Sequence, residues 1–179
     1  MHFPNDQRKA TDAVARLIQK SGAVDYLRIS KLIYLADRIS ILTRGIPIVG
    51  GQYFSMKKGP VISEIMDAVN QRTAPKWKEV ISPRRGNILT LLRPPDLDSL
   101  TADEIAILDR VVEEHFNRST DDLVQWCHDN CGEYETVIWS KRKPIQVETI
   151  LEVEGKSKEH IEKISSRAKE LEELQELLG

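Results

Sequence analysis

Apolar residues recur at spacings of three and four along most of the chain, which is the pattern of helices that bury one face. The first run predicts a helix over residues 6–21, with Asn5 as its cap and Gly22 at its end. A second run predicts a helix over residues 25–43. Its apolar face is broad, so we expect this helix to be buried on several sides.

The segment after the second helix is predicted to contain a small β element. Residues 52–57 have the composition of a short strand. We expect Pro60 to open a third helix that runs to about Arg72, because a proline at the first helical position loses no hydrogen bond. Gly59 before it would allow a tight approach of the backbone.

Capping signals mark helices in the second half of the chain. The pairs Thr101–Glu104 and Ser119–Asp122 have the spacing of capping boxes and predict helices that end near residues 116 and 130. Two more helices are expected over residues 145–154 and 157–178. The predicted fold class is therefore mainly α (α+β), with a small β-hairpin and short strand.

The last helix carries a narrow apolar stripe near heptad spacing, after Gly155 as a candidate hinge. We divide the chain into a helical domain over residues 1–154 and this amphipathic helix over 155–179. Such a stripe is buried either on its own domain or on another chain, including a second copy of this one. We expect it to bind a partner protein through Ile161, Ile164, Ala168, Leu171, Leu174 and Leu178.

The composition excludes several classes of protein. Apolar residues make up 40% and charged residues 30% of the 179 residues, which is typical of a soluble globular domain. The net charge is −2, so no overall basic field recruits nucleic acid. No run approaches the ~18 apolar residues of a membrane span, and the first residues lack a signal-peptide core. We therefore expect a cytoplasmic protein without a membrane partner.

The residues that could carry chemistry form no strong motif. Cys127 and Cys131 lie one helical turn apart, and only His115 and His128 could join them at a metal. A zinc site usually takes four ligands in two separate pairs, so two cysteines near a helix end are the simpler interpretation. Phosphate-loop, G-x-S-x-G and H-E-x-x-H motifs are absent. We expect no enzyme, no metal and no cofactor.

A DNA-binding regulator is the alternative prediction. Residues 78–82 and 88–92 flank a glycine-containing loop and predict a hairpin after three helices, which is the element order of a winged helix. Four basic residues could contact phosphates: Lys57, Lys58, Arg84 and Arg85. Against this, Glu64 and Asp67 on the third predicted helix would face the DNA with the wrong sign. Basic residues on solvated loops are the simpler account.

Three short motifs together resemble the Panacea domain, the SocA-like antitoxin family. They are K-L-I-Y-L-A-D over residues 31–37, G-Q-Y over 51–53 and K-G-P-V over 58–61, and the resemblance extends over about residues 11–150. It implies a bacterial antitoxin of a two-gene system, with relatives near phage-associated proteins. Such a protein would bind a cognate toxin encoded beside it and block the toxin by direct contact.

Most of the motif residues are expected to serve as scaffold. Gly59, Pro60 and Val61 would shape the turn and the start of the next element. Lys31, Tyr34 and Tyr53 are different, because a large side chain with a polar tip needs a partner when it is buried. They either order the turn around Gly59 or line a groove that faces the toxin, and the sequence leaves both alternatives open.

Overall fold

The computed structural model describes residues 1–71, 74–138 and 141–178, apart from the side chains of Gln175 and Leu178. The helices in this part of the chain are α1 (Gln7–Ser21), α2 (Tyr26–Arg44), α3 (Ser63–Gln71), α4 (Pro75–Val80), α5 (Ala102–His115), α6 (Thr120–Asn130), α7 (Val147–Val153) and α8 (Lys158–Leu178). The strands are β1 (Val24–Asp25), β2 (Tyr53–Met56), β3 (Gly59–Ile62), β4 (Ile88–Leu89) and β5 (Lys143–Ile145). The predicted mainly helical class with a small β element is confirmed.

The strands form two small antiparallel sheets. In one of them β1 pairs with β4. The other has the order β3-β2-β5, with β2 and β3 joined by a turn at Lys57 and Lys58. The third strand of this sheet comes from far along the chain, because Ser55 on β2 pairs with Lys143 on β5.

Helix α2 lies at the centre of the fold, as its broad apolar face predicts. It contacts α1, α3, α5, α6 and α7 as well as β1 and β3. Its fully buried apolar side chains include Ile29, Leu32, Ile33, Ala36 and Ile41. A helix surrounded in this way has few positions left for solvent, so polar residues on it must find partners inside the protein.

The third helix starts later than predicted. Pro60 lies in β3 and α3 begins at Ser63, so the expected helix start at Pro60 is wrong. Because β3 is the edge strand of its sheet, the missing N–H of Pro60 costs no ladder hydrogen bond. The predicted end of this helix, Arg72, lies outside the described residues.

Two other local predictions need correction. Asp6, not Asn5, caps α1, since its carboxylate accepts from the backbone N–H of Arg8 and Lys9 at 3.0 Å. Residues 78–80, predicted as part of the first hairpin strand, belong to α4. A single β-bridge from Ile81 to Leu91 is what remains of that predicted strand.

The remaining helix ends agree closely with the patterns that predicted them. Both capping boxes are formed, at Thr101 with Glu104 and at Ser119 with Asp122. The predicted helix over 145–154 begins at Val147, because Ile145 pairs in β5. Within the described residues, no helix has both the length and the apolar character needed to cross a membrane.

Candidate functional site

One face of α2 carries buried polar residues. Lys31, Tyr34 and Asp37 lie three residues apart, and each has an exposed fraction of 0%. Residues three apart on a helix share a face. The motif K-L-I-Y-L-A-D thus places an ammonium, a phenol and a carboxylate in one row inside the protein.

Lys31 holds the turn between β2 and β3. Its Nζ donates a hydrogen bond to the carbonyl oxygen of Pro60 at 2.9 Å. Burial lowers the pKa of Lys31 to about 8, because the interior disfavours the charged form. Gly59 gives the chain room here: its φ is 93°, and a Cβ at this position would lie 3.3 Å from Cε of Lys31.

Asp37 organises the loop that follows α2. Its carboxylate accepts from the backbone N–H of Ile48, Val49 and Gly50 at 2.8, 2.9 and 3.0 Å. The hydroxyl of Tyr53 donates to the same carboxylate at 2.9 Å. Burial raises the pKa of Asp37 to about 6, and these hydrogen bonds oppose the rise. This cage fixes residues 48–50 and the start of β2 on α2.

Tyr34 connects α2 to the segment after α6. Its hydroxyl donates to Oε1 of Glu133 at 2.5 Å, and Arg38 donates to the same carboxylate at 2.8 Å. Arg38 also pairs with Glu154, just beyond α7. Glu133 is only 3% exposed, so its charge is neutralised inside the protein by Arg38. Arg38 therefore joins α2 both to the segment after α6 and to the end of α7.

These contacts bear on the two roles left open for Lys31, Tyr34 and Tyr53. All three side chains are buried and each donates to a partner in the same chain. Lys31 orders the turn around Gly59, whereas the tyrosines order other segments. Tyr53 also lines a cavity of about 230 Å³ next to the start of β2. The choice between scaffold and groove therefore stays a prediction.

Sequence reasoning missed two members of this network, Asp37 as an organiser of the loop and Glu133 as the partner of Tyr34. A signal for Asp37 was present, because it continues the spacing of Lys31 and Tyr34 along a helix predicted to be buried all round. Glu133 carries no local signal, since it lies 99 residues from Tyr34 in sequence.

The cysteines are buried in the core, and two of the histidines pack against aromatic rings. Cys127 and Cys131 are both free and buried. A hydrogen bond from Cys131 lowers the pKa of Cys127, and the nearby ammonium of Lys31 acts in the same direction. His128 stacks on Tyr134 with ring centroids 4.4 Å apart, and His115 packs edge-on against Trp126.

One group of carboxylates has the spacing of metal ligands within the described part of the chain: Asp12, Asp96 and Asp98. The ammonium of Lys76 lies between them, at 2.8 to 3.2 Å from an oxygen of each. A cation of the protein itself therefore occupies the centre of this cluster.

The four predicted phosphate contacts lie on two different sheets. Lys57 and Lys58 are exposed at the β2–β3 turn, whereas Arg84 and Arg85 are exposed at the hairpin that leads into β4. Arg84 also stacks over the ring of Tyr26 at 4.9 Å. The carboxylate of Glu64 accepts from the backbone N–H of Gln52. Phosphate binding by these residues stays a prediction.

Helix α8 is only partly committed to its own domain. Ile164 and Ala168 are buried at 5% and 1% exposure, and Ile161 and Leu171 pack partly against the core. Exposure then rises to 54% at Leu174 and 82% at Leu177. The side chain of Leu178 lies outside the described residues. Partner binding by this stripe stays a prediction. Ile164 and Ala168, in the middle of the stripe, are buried in the core of the same chain.

An open cavity adjoins the point where α8 leaves the core. It has a volume of about 580 Å³ and is lined by residues 3–9 and 46–50 together with Leu171. We call this cavity the α8 groove. Its floor includes residues 48–50, the loop that Asp37 holds in place. The groove is therefore bounded by a loop that Asp37 holds in place and by Leu171 of α8.

The chain is a mainly helical protein built around α2, which carries buried polar side chains on one face. A family model assigns it more specifically. The family described as antitoxin SocA-like, Panacea domain, matches residues 29–135, and the chain belongs to this family. No curated protein and no solved structure matches the chain. The match includes α2 and all three motifs but leaves α1, α7 and α8 outside.

Proposed function

We propose that this protein is an antitoxin that binds a cognate protein toxin directly and neutralises it. Membership of the SocA-like antitoxin family carries the proposal. The buried polar face of α2 supports a binding role rather than chemistry, because its ammonium, phenol and carboxylate are engaged within the fold. The toxin is expected to be the product of a neighbouring gene.

We place the toxin contact at the distal end of α8 and the α8 groove. Leu174, in the exposed part of the apolar stripe, and Leu177, one turn further along α8, are both exposed, and the groove that Leu171 lines can take a protruding element of the partner. The α8 part of this region lies beyond the residues that the family model matches, whereas residues 46–50 of the groove lie within them. A scaffold common to the family can therefore carry a segment specific to one toxin.

The proposal is tested by co-expressing the protein with the product of each adjacent gene. Wild-type protein should rescue growth and co-purify with one of these products. Leu174→Ala/Leu177→Ala should abolish both effects, since each leucine fully buried at an interface is worth about 1.5–3 kcal/mol and two amount to two or more decades in Kd. Both leucines are largely exposed, so the melting temperature should stay unchanged.

The matched control is Ile88→Ala/Leu92→Ala, which removes two apolar side chains that are 40% and 55% exposed on another part of the surface. This variant should still rescue growth. Full rescue by Leu174→Ala/Leu177→Ala would move the contact away from α8 but leave the antitoxin function standing. Failure of the wild-type protein with every neighbouring gene product would overturn the function itself.

Self-association is the competing use of the same residues. If α8 joins two copies of the chain, the mass of the wild-type protein in solution should be that of a dimer. The mass of Leu174→Ala/Leu177→Ala should then be that of a monomer. A monomeric wild-type protein that binds the toxin would assign the exposed leucines to the toxin alone.

A further inference from the structure

The three-stranded sheet gathers basic residues from two distant segments at one of its ends. In the β2–β5 ladder Ser55 pairs with Lys143, and the strands run antiparallel. Met56 and Lys57 follow Ser55 along the chain, and Lys141 and Arg142 come directly before Lys143. The β2–β3 turn and the residues before β5 therefore meet at the same end. We call this surface the basic sheet end: Lys57, Lys58, Lys141, Arg142 and Lys143.

All five side chains of the basic sheet end are exposed. Lys143 pairs with Glu135, whereas none of the ion pairs within the described residues includes Lys57, Lys58, Lys141 or Arg142. Elsewhere the chain neutralises many of its cations, as it does Arg16 with Asp109 and Lys76 with Asp98. In a chain of net charge −2, the basic sheet end is thus a local concentration of uncompensated positive charge.

Arg142 has an aromatic neighbour. Its guanidinium carbon lies over the Phe54 ring of β2, 4.3 Å from the ring centroid. A cation over a ring face is attracted by the ring, and its N–H groups can still donate hydrogen bonds. The surface therefore offers one guanidinium held near a ring beside several ammonium groups.

We infer that the basic sheet end binds the phosphate backbone of a nucleic acid. Lysine is depleted at the centre of protein–protein interfaces, where aromatic residues, methionine and arginine are enriched. Four of the five residues here are lysines, which suit phosphates as point charges. This composition favours a phosphate chain over an acidic protein surface. The contact would be independent of base sequence, because backbone contacts carry no sequence information directly.

This site differs from the phosphate contacts predicted from sequence. Arg84 and Arg85 lie at a hairpin of the other sheet, and Lys141, Arg142 and Lys143 were not among the predicted contacts. The two pairs Lys57–Lys58 and Arg84–Arg85 remove the same charge when replaced by alanine. They therefore form a matched test and control.

The test measures the anisotropy of labelled duplex DNA of about 20 base pairs with the full-length protein at 50 to 200 mM salt. Four unpaired cations predict a slope of about −3.6 for log K against log salt, or a loss of affinity on the order of 100-fold across this range. Lys57→Ala/Lys58→Ala and Lys141→Ala/Arg142→Ala should each halve the slope. Arg84→Ala/Arg85→Ala should leave it near the wild-type value. The same measurement with single-stranded RNA of the same sequence shows whether the surface prefers the phosphates of duplex DNA or those of RNA.

Three outcomes would overturn the inference. The first is no binding of either nucleic acid by the wild-type protein at 50 mM salt. The second is an equal loss in the Lys57–Lys58 and Arg84–Arg85 variants, which would indicate a general effect of charge. The third is binding of poly-glutamate as tightly as DNA, which would assign the surface to an acidic polypeptide. Unchanged melting temperatures would show that all variants are folded.

Discussion

Helix α2 and helix α8 both carry an apolar stripe, yet the protein uses the two helices in opposite ways. On α2 even the polar residues Lys31, Tyr34 and Asp37 are fully buried, and each has a partner in the chain. On α8 exposure rises along the stripe, from 1% at Ala168 to 54% at Leu174. The most distinctive side chains of α2 are therefore engaged within the fold, whereas the free end of α8 exposes leucines.

The reason lies in the cost of burying polar groups. A buried donor or acceptor without a partner costs about 1–3 kcal/mol, so each polar residue of α2 constrains a second segment of the chain. The free end of α8 has no such constraint, because leucines pack against any apolar surface of suitable shape. A segment of this kind can change its partner without disturbing the scaffold.

The largest difference between the two helices should appear when a carboxylate is placed on each stripe. Leu35→Asp should unfold the protein, because Leu35 is 4% exposed and an unpaired buried charge costs several kcal/mol, comparable with the stability of a typical domain. Leu174→Asp on α8 should melt like the wild type, since Leu174 is 54% exposed. Thermal unfolding followed by circular dichroism compares them. A cooperative transition near the wild-type midpoint for Leu35→Asp would show that this face of α2 is not core.

A smaller effect should distinguish the buried part of α8 from its exposed end. Ile164→Ala should lower the free energy of unfolding by about 2–5 kcal/mol, because Ile164 is 5% exposed and packs near Gly45. Leu177→Ala should change it by no more than about 0.5 kcal/mol. Urea denaturation of both variants gives the comparison. Similar small effects would mean that α8 is not docked on the domain in solution.

The smallest expected effect concerns the pH dependence of stability on the α2 face. Burial lowers the pKa of Lys31 from its ordinary value of 10.5 to about 8, so above pH 8 the unfolded chain binds more protons at this site than the folded one. Stability from this group therefore rises with pH through that window. From pH 7 to 9.5 the wild type should gain up to about 2 kcal/mol relative to Lys31→Met. Urea denaturation at each pH measures the free energy of unfolding of both proteins. A difference between them that stays constant from pH 7 to 9.5 would contradict the lowered pKa of Lys31.

Local features of the fold were predictable because their causes lie within a few residues. The capping boxes at Thr101 and Ser119 bind residues three positions ahead, and both were expected and found. Pro60 shows the limit of this reasoning. Its preference for a first helical position was outweighed by the pairing of β3 with β2, to which Pro60 contributes opposite Ser55.

By itself, the sequence determined the helical class, most helix ends and the family, because periodicity, caps and short motifs are local properties. Only the tertiary structure decided which residues meet. It placed Glu133 against Tyr34, closed the Asp37 cage and brought Lys141 and Arg142 to the end of the sheet that carries Lys57. It also decided which part of the α8 stripe is buried. These outcomes depend on contacts between distant segments, such as Tyr34 and Glu133, which lie 99 residues apart, and the sequence carries no local signal for such contacts.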